Sequence, residues 1–513
     1  MTRIPLLAGS RLQVVEPPDD AVVLHPPPPV EALVDVGAAV REALRFPLAG
    51  PSLEQLVPRG GRVTLVVEPP ALPIPSAPRD PRQAALAATV GELERIGVPL
   101  ERQTLLVASG LARRPAQREL EYMVAPELAR RFSGDVEVHD AERPDLVELG
   151  WEGNVALRVN PKLVEADAVV LVSSAETVLH GGPAALVGAS GPETIRASGA
   201  YSLLETSASL GWRIGVALER ALARRVPVIG ASLTLNPPTV TGAFHGYPHD
   251  PRALERIAAS PVRLLFRALP GALRSRLLTS IPRELTATAV FAGPPAVAHV
   301  EALLRGVDAR SATLDERLDV VVVGAPATTP YLPREQPNPV LTAYMALGLA
   351  LRLWRDGFPL AERPTAILLS PFDRRFPHPT QTPYRSFFNA LRSLGTRAAH
   401  EPTSWAEAER AAAAEPRALQ AYREGRSCHP LLPYADWAAC LPVLERLGSV
   451  LVAGCRDALA ARQFGFVPTR SLAAALAMAQ ARVGGTPRVG YLVAPPYFPI
   501  RMTRATPRRD TSS

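Results

Sequence analysis

Three short stretches of this chain hold the side chains best suited to chemistry. The first is Ser174-Ala-Glu-Thr-Val-Leu-His-Gly-Gly-Pro, running on to Gly191 and the helix start at Pro192. Here His180 could act as a base or a metal ligand near neutral pH, since imidazole titrates in that range, and Glu176 stands four residues before it. The backbone amides of Gly181 and Gly182 could hold a phosphate or carboxylate beside a helix N-terminus. The same run also reads as a glycine-rich connector carrying an incidental histidine, because it holds neither a dinucleotide fingerprint nor a Walker sequence. The second stretch, Ser109-Gly-Leu-Ala-Arg-Arg, offers Gly110, Arg113 and Arg114 to an anion. The third is Glu68-Pro-Pro-Ala-Leu-Pro-Ile-Pro. Weaker candidates are the adjacent Cys428 and His429, the pair His245 and His249, and Arg374, Arg375, His378 and Arg385; an exposed basic loop accounts equally well for the last group.

Each of the three stretches follows an apolar run that reads as a buried strand. Arg62–Val67, Gln103–Ala108 and Ala168–Ser173 are rich in Val and Leu, and amphipathic segments such as Arg82–Ile96 and Ala208–Ala223 separate them. Continuous apolar strands alternating with helices are what a parallel sheet covered on both faces requires. In such sheets ligands sit beyond the carboxyl ends of the strands, where these loops fall. A second alternating unit runs through Asp319–Gly324, Thr365–Ser370, Ser449–Ala453 and Arg488–Ala494, with helices expected at Pro294–Leu304, Leu341–Trp354 and Ala435–Leu447. The expected fold is therefore α/β, with two domains, each a mainly parallel sheet flanked by helices, and a ligand cleft between them. The expected divisions are a lead-in with a polyproline connector over 1–30, an N-terminal domain over 31–275, a C-terminal domain over 285–495 and a basic tail over 496–513. Within the second unit, Pro371 to Pro433 reads as an irregular insert, and Ala116–Phe132 in the first reads as one helix.

At 513 residues the chain exceeds what one ordinary core accommodates. A net charge of +7, with no Lys/Arg block interleaved with aromatics, argues against nucleic acid. No apolar run is long enough to span a membrane. Three cysteines, Cys428, Cys440 and Cys455, lack metal-site spacing and suit a reducing compartment, and the N-terminus lacks the pattern of a secretion signal, so a cytoplasmic location is expected.

The order of motifs resembles the nickel-dependent lactate racemase family. The matching frame is Leu72-Pro-Ile-Pro75, Ala108 to Arg113, Asn160 with Glu165-Ala-Asp167, Glu176 before the glycine loop, Thr241-Gly-Ala-Phe-His-Gly246, and Asp436-Trp437 at the place of a substrate-contacting tryptophan. The resemblance implies a nickel pincer nucleotide as cofactor and interconversion of 2-hydroxy-acid enantiomers by hydride transfer, with two histidines as base and acid. With a reorganised site, His180 and Glu176 would carry proton transfer, and Arg113, Trp437, Gly110, Gly181 and Gly182 would bind a small anionic molecule such as a 2-hydroxy acid; a homodimer is left open. The departures are many. Pro69-Pro-Ala-Leu72 replaces the phosphate-gripping Asp-His-Thr-Arg, Ala112 and Val178 stand at the two histidine positions, Gly199 at the nickel ligand and Gly188 at the cofactor-bonding lysine. A second family lysine falls near Tyr344 or Met345, and Lys162 is the one lysine in the chain. The alternative is thus a non-catalytic member that binds a small anion.

Overall fold

The computed structural model describes residues 3–69, 79–120, 123–326, 337–395, 398–483 and 485–503. Two six-stranded sheets dominate it. In the first, the spatial order is Ala287–Gly293, Val228–Leu235, Ala168–Ser174, Val63–Val67, Gln103–Val107 and Asp135–Val138. All neighbours are parallel except Ala287–Gly293, which is antiparallel to Val228–Leu235. Strand order reverses between Val63–Val67, first along the chain, and Ala168–Ser174, fourth along it. That reversal opens a crevice at the carboxyl ends of these two strands, the place where ligands bind in doubly wound folds.

The residues explain the sheet. Val63, Leu65 and Val67 enter one apolar cluster with Leu105, Val107, Val170 and Val172, while Val66, Leu106, Val169 and Leu171 enter another on the opposite face. A strand buried on both faces has no polar side to spare, and so it reads as an unbroken apolar run. The helix Pro81–Arg95 starts where Asp80 accepts the Arg82 amide and proline occupies the first turn.

The second sheet is parallel throughout, in the order Val467–Thr469, Ser449–Ala453, Leu360–Leu369, Leu318–Gly324, Val489–Leu492 and Val22–Leu24. The parallel sheets read from the sequence are thus present, but segments cross the expected division. The lead-in strand Val22–Leu24 lies at the edge of the second sheet, beside Val489–Leu492. Ala287–Gly293, placed by sequence with the C-terminal unit, closes the first sheet, and the helix Pro295–Arg310 packs on that same sheet. Neighbourhood in sequence does not dictate sheet membership when a free edge can be capped by a distant segment.

Three further expectations are corrected. The segment 371–433 is largely helical, with Thr382–Leu394, Pro402–Ala413 and Pro416–Arg423. The expected helix Ala116–Phe132 is broken into Gln117–Leu120 and Pro126–Arg131, because Pro126 starts a new helix and cannot continue an old one. The expected helix Leu341–Trp354 is short, Pro339–Ala343, and passes into a π-helical turn over Tyr344–Leu349. No helix of the described residues is long and apolar enough to cross a membrane.

The two lobes are joined by burial. One apolar cluster combines second-lobe residues such as Val321, Leu368 and Val452 with Leu111, Ala175, Val178, Leu203 and Leu204 from loops of the first. The segment after the first-lobe helix Pro192–Ala197 is tied to the second lobe as well: the Arg352 guanidinium donates to the Ala200 carbonyl, and the Ser202 hydroxyl donates to the Trp354 carbonyl at 2.5 Å.

Glu219, on the helix Leu210–Ala223, accepts the Ala296 amide at 2.9 Å and so anchors the start of Pro295–Arg310. Burial pushes its carboxyl up to about 7 from 4.5. Between those values the folded chain keeps a proton that the unfolded chain has lost, so stability contributed here falls as pH rises through that window. Glu219→Gln should therefore be close to neutral at about pH 4.5 and stabilising by roughly 1–3 kcal/mol at about pH 8. Urea denaturation at both pH values reads this, and an equal effect at the two would contradict it.

Candidate functional site

At the reversal point of the first sheet, Glu68 follows Val63–Val67, and Glu176, His180 and the glycine pair follow Ala168–Ser174. These two loops meet. The Gly181 amide donates to Glu68 Oε2 at 2.7 Å, and His180 Nδ1 lies 3.5 Å from Glu68 Oε1. The Gly182 amide donates to the Ser173 hydroxyl at 2.9 Å. The amides that the sequence offered to an external anion are therefore engaged by the chain's own carboxylate and hydroxyl. Burial raises the Glu68 carboxyl above its ordinary range, and His180 and the Gly181 amide oppose that rise.

Both glycines are needed for a steric reason as well. Gly181 and Gly182 hold φ of +88° and +53°, and a Cβ on Gly182 would stand 2.4 Å from the His299 Cβ. His299 is fully buried; its Nε2 donates to the Thr177 carbonyl at 3.0 Å, and its ring lies 5.8 Å from that of Trp212. Burial pulls His299 down to about 4, so it is neutral and acts as packing against the loop. Sequence reasoning passed over His299, which lies in a helix more than a hundred residues away; only the fold delivers it here.

Glu176 accepts the Ser174 hydroxyl at 2.8 Å and lies 3.3 Å from Arg82 Nη1. Arg82 in turn grips Asp80 with Nε at 2.9 Å and Nη2 at 2.6 Å. A buried guanidinium is thus shared between two carboxylates inside the lobe. The constellation Glu68, His180, Glu176, Arg82 and Asp80 is half legible in sequence: the loop containing Glu176 and His180 reads as a site, Arg82 reads only as the start of an amphipathic segment, and Asp80 carries no signal of its own.

Other expected site residues are used structurally. Arg113 forms an ion pair with Glu119 and donates to the Gly425 carbonyl at 3.4 Å, and Arg114 donates to the Arg423 carbonyl at 2.6 Å. The Gly110 carbonyl accepts the Tyr422 hydroxyl at 3.0 Å. This loop is thus a latch between lobes, closed over by the helical insert. His429 belongs to the same latch: Nδ1 accepts the Leu431 amide at 3.1 Å and Nε2 lies 2.9 Å from Glu142, which leaves no thiol–imidazole pairing role for it. Trp437 is fully buried, donates from Nε1 to the Ala399 carbonyl at 2.6 Å and packs on Phe464 at 4.7 Å between ring centroids. It is a core residue of the second lobe, on the inward face of the helix Leu432–Leu444, a placement that a motif match alone does not give.

The residues do not fit a covalently tethered nickel nucleotide. The Lys162 Nζ lies 3.9 Å from Asp135 at the start of the edge strand, and its carbonyl accepts from Thr64 at the start of Val63–Val67. That is the amino end of the sheet, opposite the loops described above. At Gly199 there is open space where a side chain would stand, and Ser198 is spent on the Ile195 carbonyl. Among the described residues no group of three or more His, Cys, Asp or Glu side chains could hold a metal ion; His245 and His249 do not form one. The Leu72-Pro-Ile-Pro75 segment lies outside the described residues, though its side chains include no cation.

Two outcomes follow. Glu68→Ala should cost about 1–3 kcal/mol by stranding the Gly181 amide, and sulfate should then stabilise the variant more than the parent protein in thermal melts. Equal response to sulfate would show that the loop is not an anion nest. Trp437→Ala should cost about 3–5 kcal/mol in chemical denaturation, and Trp437→Phe should leave binding of any cleft ligand unaltered.

Residues 9–211 match the family model described as lactate racemase N-terminal domain. The lactate racemase apoprotein from Thermoanaerobacterium thermosaccharolyticum shares the fold at a TM-score of 0.61 and 13% identity, covering 97% of this chain and 99% of that one. A Thermotoga maritima protein is similar at a TM-score of 0.50 and 12% identity, over 93% of this chain and 100% of the other. No curated protein matches by sequence. Residues 9–211 thus carry the lactate racemase N-terminal domain, and nearly the whole length of the chain takes the fold of the lactate racemase apoprotein.

Proposed function

We propose that this protein is a lactate-racemase-like protein that binds a small 2-hydroxy acid without the nickel pincer nucleotide, the ligand's hydroxyl resting on the His180–Glu68 pair. One observation carries the reading: Glu68 takes the Gly181 amide and stands beside His180, so the loop that would serve a phosphate is already filled by the chain's own carboxyl group. A carboxylate orienting an imidazole is an arrangement that can accept a hydroxyl proton. Racemising a 2-hydroxy acid needs in addition an electrophile to receive hydride, which in the family the cofactor supplies. No such group fits the residues present, and net racemisation is not expected.

A second reading, an isomerase with a reorganised site, is favoured by the partial exposure of His180, whose side chain remains 16% accessible beside a buried Glu68. The two readings separate in one experiment. The full chain is produced in a host that makes the nickel cofactor, then assayed for nickel, for added mass on Lys162 and for interconversion of D- and L-lactate by chiral chromatography. Absence of all three, with calorimetric binding of lactate that Glu or His replacement weakens, supports the binding reading; His180→Gln should weaken it about tenfold, the worth of one hydrogen bond to a charged group. Stoichiometric nickel with a covalent adduct would overturn it. Lactate interconversion that His180→Gln abolishes while binding persists would establish the isomerase.

A further inference from the structure

A cavity of about 30 Å³ lies where strand ends of both lobes meet. Its walls come from Pro237 and Pro238, which follow Val228–Leu235 of the first sheet, from Tyr497, Phe498 and Pro499, which follow Val489–Leu492 of the second, and from Arg310 at the end of the helix Pro295–Arg310. Most of this lining is apolar and stiff. Two groups are not.

Arg310 is 7% exposed, and its protein acceptors are carbonyls: Gly306 takes Nε at 3.1 Å and Ala175 takes Nη2 at 3.3 Å. Arg310 makes no ion pair among the described residues. Glu176, the carboxylate whose field reaches it, is ion-paired with Arg82. Tyr497 is 6% exposed, and its hydroxyl is buried without a hydrogen-bond partner. Burial raises this phenol well above its ordinary range, so at neutral pH it keeps a proton to donate. A guanidinium resting on neutral carbonyls and an orphaned hydroxyl are each costly inside a protein, the hydroxyl alone by about 1–3 kcal/mol. Both costs disappear when one acceptor-only group serves both donors.

We propose that this cavity is a subsite for the carboxylate of a short monocarboxylic acid, with Arg310 and the Tyr497 hydroxyl donating to its oxygens. A water-sized group needs about 10–15 Å³ of such space, so the cavity suits the two oxygens of one carboxylate and is too small for a phosphate with its three or four. Proline and Phe498 walls exclude water and strengthen the charge-assisted bonds. The inference goes beyond the reading of the protein as a 2-hydroxy-acid binder: it is carried by Arg310, Tyr497 and the cavity walls, and it places no ligand hydroxyl on His180 or Glu68.

The test uses formate, which has a carboxylate and no hydroxyl. Melting of the full chain is followed in increasing sodium formate against sodium chloride at matched ionic strength. A saturable rise in Tm with formate, absent with chloride, is expected. Tyr497→Phe deletes one donor and should weaken the formate response about tenfold while leaving the melting temperature without formate unchanged or slightly raised. Arg310→Met replaces a buried charge by an apolar chain of similar length; it should abolish the response, and without formate it should be neutral or stabilising. An equal rise in chloride, a response that never saturates, or an unaltered response in Tyr497→Phe would overturn the subsite, and the phenylalanine variant decides the matter should the methionine variant fail to fold. A formate response that survives His180→Gln, in a protein that does not bind lactate, would leave the subsite standing and remove the hydroxy-acid reading.

Discussion

The arrangement turns on the contact between the Glu68 carboxylate and the Gly181 amide. Strand reversal in a parallel sheet leaves two loops facing each other with unpaired backbone donors between them. In this chain the first loop supplies a carboxylate to the second, closing the crevice from within. A carboxylate so deeply buried needs a donor, and a loop held at positive φ needs its amide satisfied; each requirement answers the other. His180 is held beside the same carboxylate, and His299 fills the space that the missing Cβ atoms of Gly181 and Gly182 leave.

Around that contact, charge is arranged with little waste. Arg82 serves Asp80 and Glu176 together, so the strand ends contain a compact ionic group. Arg310 is different, being buried against carbonyls where the two lobes converge. The contrast between a guanidinium with its carboxylates and one without is what separates a structural ion pair from a prospective ligand group.

The lobes are fused by the very loops that resemble binding motifs. Arg113, Arg114 and Gly110 fasten the turn at Arg423–Gly425 and the Tyr422 hydroxyl, and Arg352 fastens Ala200. Side chains that could have faced a ligand instead hold the second lobe against the first. The fold shared with the lactate racemase apoprotein is thus present with the groups at its strand ends engaged within the chain.

The amino-acid sequence by itself settles the α/β class and the site's general place, because apolar strands such as Val63–Val67 and Ala168–Ser174 are local patterns and the loops that follow them are fixed by chain order. It also settles what is missing, since the absence of a second lysine or of a histidine at Gly199 needs no coordinates. Tertiary structure alone decides which groups are spent. Arg113 and Trp437 look available in sequence, but one is committed to Glu119 and Gly425 and the other to Ala399 and Phe464, partners whose approach depends on how the helices pack. His299 and Arg310 reach the strand ends from a helix distant in the chain, and strand Val22–Leu24 crosses to the second sheet; such long-range meetings carry no local signature, because packing selects them only after the elements have formed.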